Sequence, residues 1–286
     1  MGRDLYESNA DARNLFDRAD AVLGRQLSRL CFDGPDEELN QTANAQPAIY
    51  VTSLACLTAA RESGVLTAEP AFVAGHSLGE YTALAAAGAL TFEDGLRLVE
   101  RRGQLTQAAA AAAPGGMAAV LGIDDATAAA VCSETGAELC NYNAPGQLVI
   151  GGAKDAVARA CELAIKRGAR KAVPLDVTGA FHTPLMQPAV AGMREAVDSA
   201  DLRAPSIAFV ANDRADVITD PAAIRDELVH QLTRPVRWVQ CVEYMVAHGV
   251  TTFIEIGPGR VLVGIVKRIA RDAELRNING VASIAV

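Results

Sequence analysis

A short apolar run, Pro70–Ala74, leads directly into Gly75-His76-Ser77-Leu78-Gly79, and helix-forming residues continue from Glu80 to Leu90. Strand, sharp turn and helix in that order constrain the chain more than any other feature, because they set a strand in an α/β layer with a serine at its carboxyl end. The Gly-x-Ser-x-Gly spacing suggests what that serine does. Small residues permit a cramped turn that thrusts the Ser77 hydroxyl outward, and the helix behind it offers backbone N–H groups to a developing oxyanion, with the Leu78 N–H as the natural donor. The bare pattern fits a purely structural glycine turn as well.

The remaining periodicity extends the α/β reading along the chain. Apolar faces predict helices at Asp4–Arg18 and Gln46–Glu62, with Pro47 near the first turn of the second. Thr91-Phe92-Glu93-Asp94 resembles a capping box whose helix runs through Ala108–Ala113 until Pro114 and two glycines end it. The order then changes to strand Met117–Gly122, helix Asp124–Glu134, strands Ala137–Asn141 and Leu148–Gly151, helix Asp155–Lys166 and strand Ala169–Leu175. This βαββαβ order, with a turn rich in Asn143, Pro145 and Gly146, predicts a ferredoxin-like unit inserted in a larger α/β domain. The expected division is residues 1–115 and 178–286 for the large domain and residues 116–177 for the insert. Helices at Thr183–Ser199, Ala222–Leu232, Val236–His248 and Val261–Ile269 alternate with strands at Ile207–Asn212 and Thr251–Ile256, which predicts a parallel sheet.

Composition removes several function classes. A net charge of −8 over 286 residues argues against broad nucleic-acid binding, which needs a concentrated basic surface. Apolar stretches such as Ala83–Leu90 end well short of the roughly 20 residues that a membrane-spanning helix requires. Arg3, Asp4, Glu7 and Asp11 do not fit the plan of a secretory signal, so a cytoplasmic location is expected. Six cysteines (31, 56, 132, 140, 161 and 241) without metal-site or redox-motif spacing are expected to be buried free thiols. Four histidines, none in an HExxH pattern, leave a catalytic metal without support.

A serine nucleophile needs a base, and the candidates are His76, His182, His230 and His248. His76 precedes Ser77 in the turn and cannot easily fold back to it, while His230 and His248 lie in helical patterns. His182, in Thr178-Gly179-Ala180-Phe181-His182-Thr183-Pro184, sits in a loop leading into a helix and is the best placed, with a helix-capping role as its alternative.

Gly75-His76-Ser77-Leu78-Gly79-Glu80-Tyr81, Gly179-Ala180-Phe181-His182 and Glu255-Ile256-Gly257-Pro258-Gly259 together resemble the malonyl-CoA:acyl carrier protein transacylases of fatty-acid and polyketide synthesis, in family order. The resemblance implies an α/β-hydrolase-like large domain with a ferredoxin-like insert, and a two-step transfer of malonyl from CoA to the phosphopantetheine thiol of a carrier protein, with no cofactor. It implies Ser77 as nucleophile, His182 as base and the main-chain carbonyl of Gln231 as the group that orients the histidine. Arg102 matches the arginine that holds the malonyl carboxylate; on pattern alone it is a solvated helix charge like Arg101. Phe181 implies malonyl rather than methylmalonyl selectivity, because a bulky ring leaves little room for a methyl branch. Met117 and Asn143 match cleft-lining positions but equally fit core packing and turn chemistry, and Glu255–Gly259 reads as a strand end turning into a helix.

A carrier protein is acidic, so a basic patch is expected on this acidic chain, with Lys166, Arg167, Arg170, Lys171, Lys267 and Arg268 as contributors. A monomer is expected. Family members normally begin with a buried strand and a Phe-Pro-Gly-Gln-Gly-Ser-Gln motif whose first glutamine supplies a second oxyanion N–H. Met1-Gly2-Arg3-Asp4-Leu5-Tyr6 resembles the segment just after it, so a natural start upstream of Met1 is expected. Losing one such donor typically costs about 10² to 10³ in turnover. The alternatives are a noncatalytic carrier-binding homologue and, with less support, a serine esterase; the esterase is disfavoured by the long chain after His182 and by Arg102.

Overall fold

The computed structural model describes residues 1–284. Helices α1 (Arg3–Ser8), α2 (Ala10–Leu23), α3 (Leu27–Asp33), α4 (Asp36–Leu39) and α5 (Thr42–Glu62) precede the first strand. The single opening helix predicted over Asp4–Arg18 is two, because Asn9 adopts extended angles (φ −128°, ψ 124°) and its side chain accepts from the Ala12 N–H at 2.7 Å, capping α2. The predicted start of α5 at Gln46 also moves. Asn44 and Ala45 already donate to the Gln41 carbonyl, so Pro47 lies inside the helix and forgoes one bond there.

Strand β1 (Phe72–Ala74) feeds α6 (Gly79–Ala86), and α7 (Phe92–Ala112) follows, capped by the Thr91 side chain on the Asp94 N–H. The two glycines after Pro114 do not merely stop α7; they open β2 (Gly115–Leu121). Then come α8 (Asp125–Thr135), β3 (Glu138–Ala144), β4 (Gln147–Ala153), α9 (Lys154–Lys166) and β5 (Lys171–Pro174). These strands form one antiparallel sheet in the order β3-β4-β2-β5. Asn143, expected in the connecting turn, lies in β3, since Ala144 pairs with Gln147 and only Pro145 and Gly146 (φ +67°) turn the chain. Ala118, Val120, Val131, Leu148, Ile150 and Val157 make an apolar cluster of their own beneath this sheet.

Pro184–Met186 form a 3-10 turn in place of the first turn of the helix predicted from Thr183, and α10 (Gln187–Ser199) starts after it because the Thr183 hydroxyl accepts from the Leu185 N–H. The chain ends with β6 (Ala208–Val210), β7 (Val217–Ile218), α11 (Pro221–His230), α12 (Trp238–Ala247), β8 (Thr252–Ile256), α13 (Val261–Ile269) and β9 (Glu274–Ile278). The single parallel sheet read from the alternation is split. β1 pairs parallel with β6, β7 adds antiparallel to β6, and β8 pairs parallel with β9 in a separate sheet, because no ladder joins the two sets. The main core, with Tyr50, Phe16, Leu84, Leu96, Met186 and Met193 fully buried, lies among α2, α5, α7 and α10; each such side chain contributes about 1.5–3 kcal/mol.

The four-stranded sheet is bonded at its β3 edge to the loop after α11. Val236 donates to the Cys140 carbonyl at 2.8 Å and accepts from the Tyr142 N–H at 2.9 Å, so the loop after α11 is held as an extra rung on β3. All six cysteines are free and all but Cys161 are buried, as expected. Among the described residues no helix is long and apolar enough to cross a membrane.

Candidate active site

Ser77 sits between β1 and α6 with φ +53°, a left-handed conformation that costs a non-glycine residue about 1–3 kcal/mol and marks a constrained turn. The first glycine of the pattern makes the turn possible, since a Cβ on Gly75 would lie 2.0 Å from both the carbon and the oxygen of the Gly79 carbonyl. Gly79 itself would admit a Cβ with nothing within 4 Å outside its own helix. The Leu78 N–H, at the head of α6, donates to no protein acceptor among the described residues and is free for an oxyanion.

The structure brings Ser77, His182, Arg102 and Gln231 together from four separate segments. His182 Nε2 lies 2.8 Å from Ser77 Oγ. Its Nδ1 faces the main-chain carbonyls of Gln231 at 2.7 Å and Arg234 at 3.1 Å. Both are acceptors only, so Nδ1 carries the proton and Nε2 is left to accept from the serine hydroxyl. Burial, with Arg102 nearby, pushes His182 down to about 3, so the free site holds it neutral.

Arg102 is 6% exposed, which overturns the reading of a solvated helix charge. Its Nη1 donates to Gln46 Oε1 at 2.7 Å, and its Nη2 donates to Gln231 Oε1 and to Ser77 Oγ, each at 2.9 Å. All three acceptors are uncharged, so a full positive charge stands beside the nucleophile with no carboxylate bonded to it. Gln46 reaches it because α5 and α7 pack closely: a Cβ on Gly103 would lie 2.9 Å from Ala43 Cα and from the Thr42 carbonyl oxygen.

Sequence reasoning missed the groups behind these. Asn212, fully buried in the turn after β6, accepts from the Ser77 N–H at 2.7 Å and donates to the Gly75 carbonyl at 2.8 Å. Glu80, also fully buried, accepts from the Asn212 N–H at 2.7 Å and from Gln231 Nε2 at 3.0 Å. Burial and then the neighbouring Glu227 push Glu80 well above the usual carboxylate range, against these two donors and Arg102. A charged residue one step into an otherwise apolar helix was the available signal for Glu80; Gln46 and Asn212 carried none.

Phe181 packs against Met117, Cys140 and Val149 of the sheet β3-β4-β2-β5 and against the main core, so it bridges the two. His76 turns away from Ser77, as expected, and its Nε2 meets Asn143 Oδ1 at 2.8 Å. His230 and His248 are exposed. Lys267, Arg268 and Arg271 of the α13 end surround, with Pro145, a cavity of about 470 Å³. Arg167, from the other basic group, is paired with Glu134 at 2.7 Å. Among the described residues no group of three or more His, Cys, Asp or Glu side chains is arranged to hold a metal.

Comparison with known proteins decides the family. Residues 1–284 match the acyl transferase domain model. The chain belongs to the acyl transferase family. This acyltransferase is 46% identical over 276 residues to the malonyl CoA-acyl carrier protein transacylase of Bacillus subtilis, covering 95% of this chain and 86% of that protein. It superposes on the acyl-carrier-protein S-malonyltransferase of Burkholderia pseudomallei with a TM-score of 0.93 at 45% identity, over 98% of this chain and 92% of that one. A malonyl-transacylase solved in complex with its type II polyketide synthase acyl-carrier protein gives a TM-score of 0.95 at 38% identity, over 99% and 93% of the two chains.

Proposed function

We propose that this acyltransferase is a malonyl-CoA:acyl carrier protein S-malonyltransferase that works through a malonyl ester on Ser77. The observation that carries the reading is Arg102 Nη2 at 2.9 Å from Ser77 Oγ, a buried cation with neutral acceptors only, placed where the far end of a short dicarboxylic acyl group would reach. His182 Nε2 takes the serine proton as Oγ attacks the thioester carbonyl, and the Leu78 N–H meets the oxygen that becomes negative. The tetrahedral intermediate collapses, the CoA sulfur leaves with the proton from His182, and malonyl-serine remains. The carrier's phosphopantetheine thiol then gives its proton to His182 and attacks the ester, which returns the acyl group to sulfur and the proton to Ser77.

The orienting carbonyl of Gln231 adds no negative charge next to His182, which suits a site that must admit an anionic acyl group. Phe181, wedged between the main core and the insert, is read as the residue that leaves no room for a branched acyl chain. The malonyl CoA-acyl carrier protein transacylases among its relatives support an acidic carrier protein as partner, and Lys267, Arg268 and Arg271 around their cavity are its proposed docking charges. The strand order β3-β4-β2-β5 and its separate apolar cluster support reading residues 116–177 as a ferredoxin-like domain inserted into an α/β-hydrolase-like domain of residues 1–115 and 178–286. Free cysteines support a reducing cytoplasm as its location.

Intact-mass spectrometry after incubation with malonyl-CoA tests the reading. A malonyl adduct is expected on the wild type, absent in Ser77→Ala and weakened in Arg102→Ala. A wild type that stays unmodified, or an adduct that survives Ser77→Ala, overturns it.

A further inference from the structure

We infer that Glu80 is a positioning residue that sets the preference for a carboxylated acyl group, acting through the Gln231 side chain on Arg102. The inference rests on the roles proposed for Ser77 and Arg102. Gln231 stands between Arg102 and Glu80 with its amide polarity fixed: Oε1 accepts from Arg102 Nη2 at 2.9 Å, while Nε2 donates to Glu80 Oε2 at 3.0 Å and to the Ser77 carbonyl at 3.3 Å. Arg102 can only donate and the Ser77 carbonyl can only accept, so the amide cannot be turned round while both contacts hold.

Glu80 completes this arrangement because both its oxygens accept. The second one takes the Asn212 N–H, a main-chain donor that cannot flip, at 2.7 Å. A residue here must therefore offer an acceptor in two directions at once, and a carboxyl group with its two oxygens does so where an amide cannot. The consequence falls on Arg102, whose Nη2 is shared between Gln231 and the nucleophile. With Gln231 fixed, the guanidinium is aimed before substrate arrives, which is the condition for gripping a carboxylate at a defined distance from the reacting carbonyl.

Glu80→Gln keeps the volume and breaks the logic. The new side chain must give its oxygen to the Asn212 N–H, so its NH₂ group confronts Gln231 Nε2. Either two donors stay opposed, or Gln231 turns over and presents its own NH₂ to Arg102. In the first case the opposed donors push the Gln231 side chain off its place against Arg102, and in the second Arg102 loses that acceptor outright, whereas His182 still meets the Gln231 main-chain carbonyl.

The test is a competition in one tube between malonyl-CoA and acetyl-CoA for Ser77, read as the ratio of the two adducts by intact mass at early times. That ratio does not depend on the fraction of folded protein. Glu80→Gln is expected to lower the malonyl-to-acetyl ratio by about tenfold to a hundredfold, the range of a hydrogen bond to a charged group. Gln231→Leu keeps the main-chain carbonyl, removes the amide that links Glu80 to Arg102, and is expected to lower the ratio in the same direction with Glu80 itself unchanged. Arg102→Ala serves as the control. If it abolishes the preference while Glu80→Gln and Gln231→Leu keep the wild-type ratio, the inference fails and the proposed function stands. If Arg102→Ala itself keeps the ratio, the role of Arg102 fails and the inference falls with it.

Discussion

Ser77 keeps its left-handed backbone because Asn212 takes its N–H and binds the Gly75 carbonyl behind it, so the nucleophile is aimed by a side chain from the turn after β6, far away in sequence. His182 is aimed by two carbonyls, and its burial has a kinetic signature. With the free-enzyme value near 3, kcat/KM for malonyl-CoA is expected to stay flat from about pH 8 down to about pH 5, where an ordinary histidine would give an acid limb near about 6.5. An acid limb centred there contradicts the assignment. The same depression links to stability. The unfolded chain binds a proton that the folded site refuses, so the contribution is complete above about 6.5 and is lost as pH falls toward about 3. Across that window, urea unfolding of His182→Gln should show a shallower pH dependence than wild type, and identical slopes would count against it. Ser77 stood out by its glycine-flanked turn and His182 by its loop, whereas Arg102 and Gln231 were picked out only through the family resemblance. Gln46, Asn212 and the role of Glu80 were not legible, because their function is to satisfy a neighbour's hydrogen bonds, which exists only once the chain has folded.

At the scale of elements, the turn between β1 and α6 depends unequally on its two glycines. Gly75→Ala would push a methyl to 2.0 Å from the Gly79 carbonyl, against backbone that cannot yield without unmaking the turn. Malonyl loading of Ser77 should be lost in Gly75→Ala, by mass spectrometry, and Gly79→Ala should load within about twofold of wild type, its Cβ being unhindered outside the helix. Equal loss in both variants contradicts the packing argument. Gly103→Ala acts through a helix pair instead: its methyl presses on α5 at Ala43 and Thr42, moves Gln46 off Arg102, and should cost about 1–3 kcal/mol in thermal unfolding along with malonyl preference. Helices were legible from capping and periodicity, as α7 and α8 show. The break at Asn9 and the early start of α5 were not, since one depends on a side chain capping the next helix and the other on backbone bonds ahead of Pro47. The strands expected at β1, β5, β6 and β8 were read too long, those at β3 and β4 too short and that at β2 starting late, β7 and β9 were not read, and the parallel strands fall in separate sheets, because periodicity identifies strands without saying where pairing ends or which pair.

For the molecule as a whole, the catalytic groups lie beside the four-stranded sheet β3-β4-β2-β5, so the bonds that join their loops to that sheet bear on rate. The Gln231–Val236 loop gives two carbonyls to His182 and, two residues after Arg234, joins β3 through Val236. On the same strand Asn143 takes His76, the residue before the nucleophile. Histidine and serine are thus both referred to β3, one through a backbone rung and one through a side-chain bond, and Phe181 fills the space between the two cores. Cutting the side-chain bond should leave the fold and loosen the register. Asn143→Ala forfeits a hydrogen bond of about 1 kcal/mol, which is expected to lower Tm by only about 2–4 °C and the rate of Ser77 malonylation by about fivefold. Stopped-flow loading and a melting curve on the same variant separate the two effects. A rate equal to wild type would mean that the Val236 rung and the apolar packing hold β3 in place without this bond, and that His76 and Asn143 are bystanders to the alignment of Ser77 with its base.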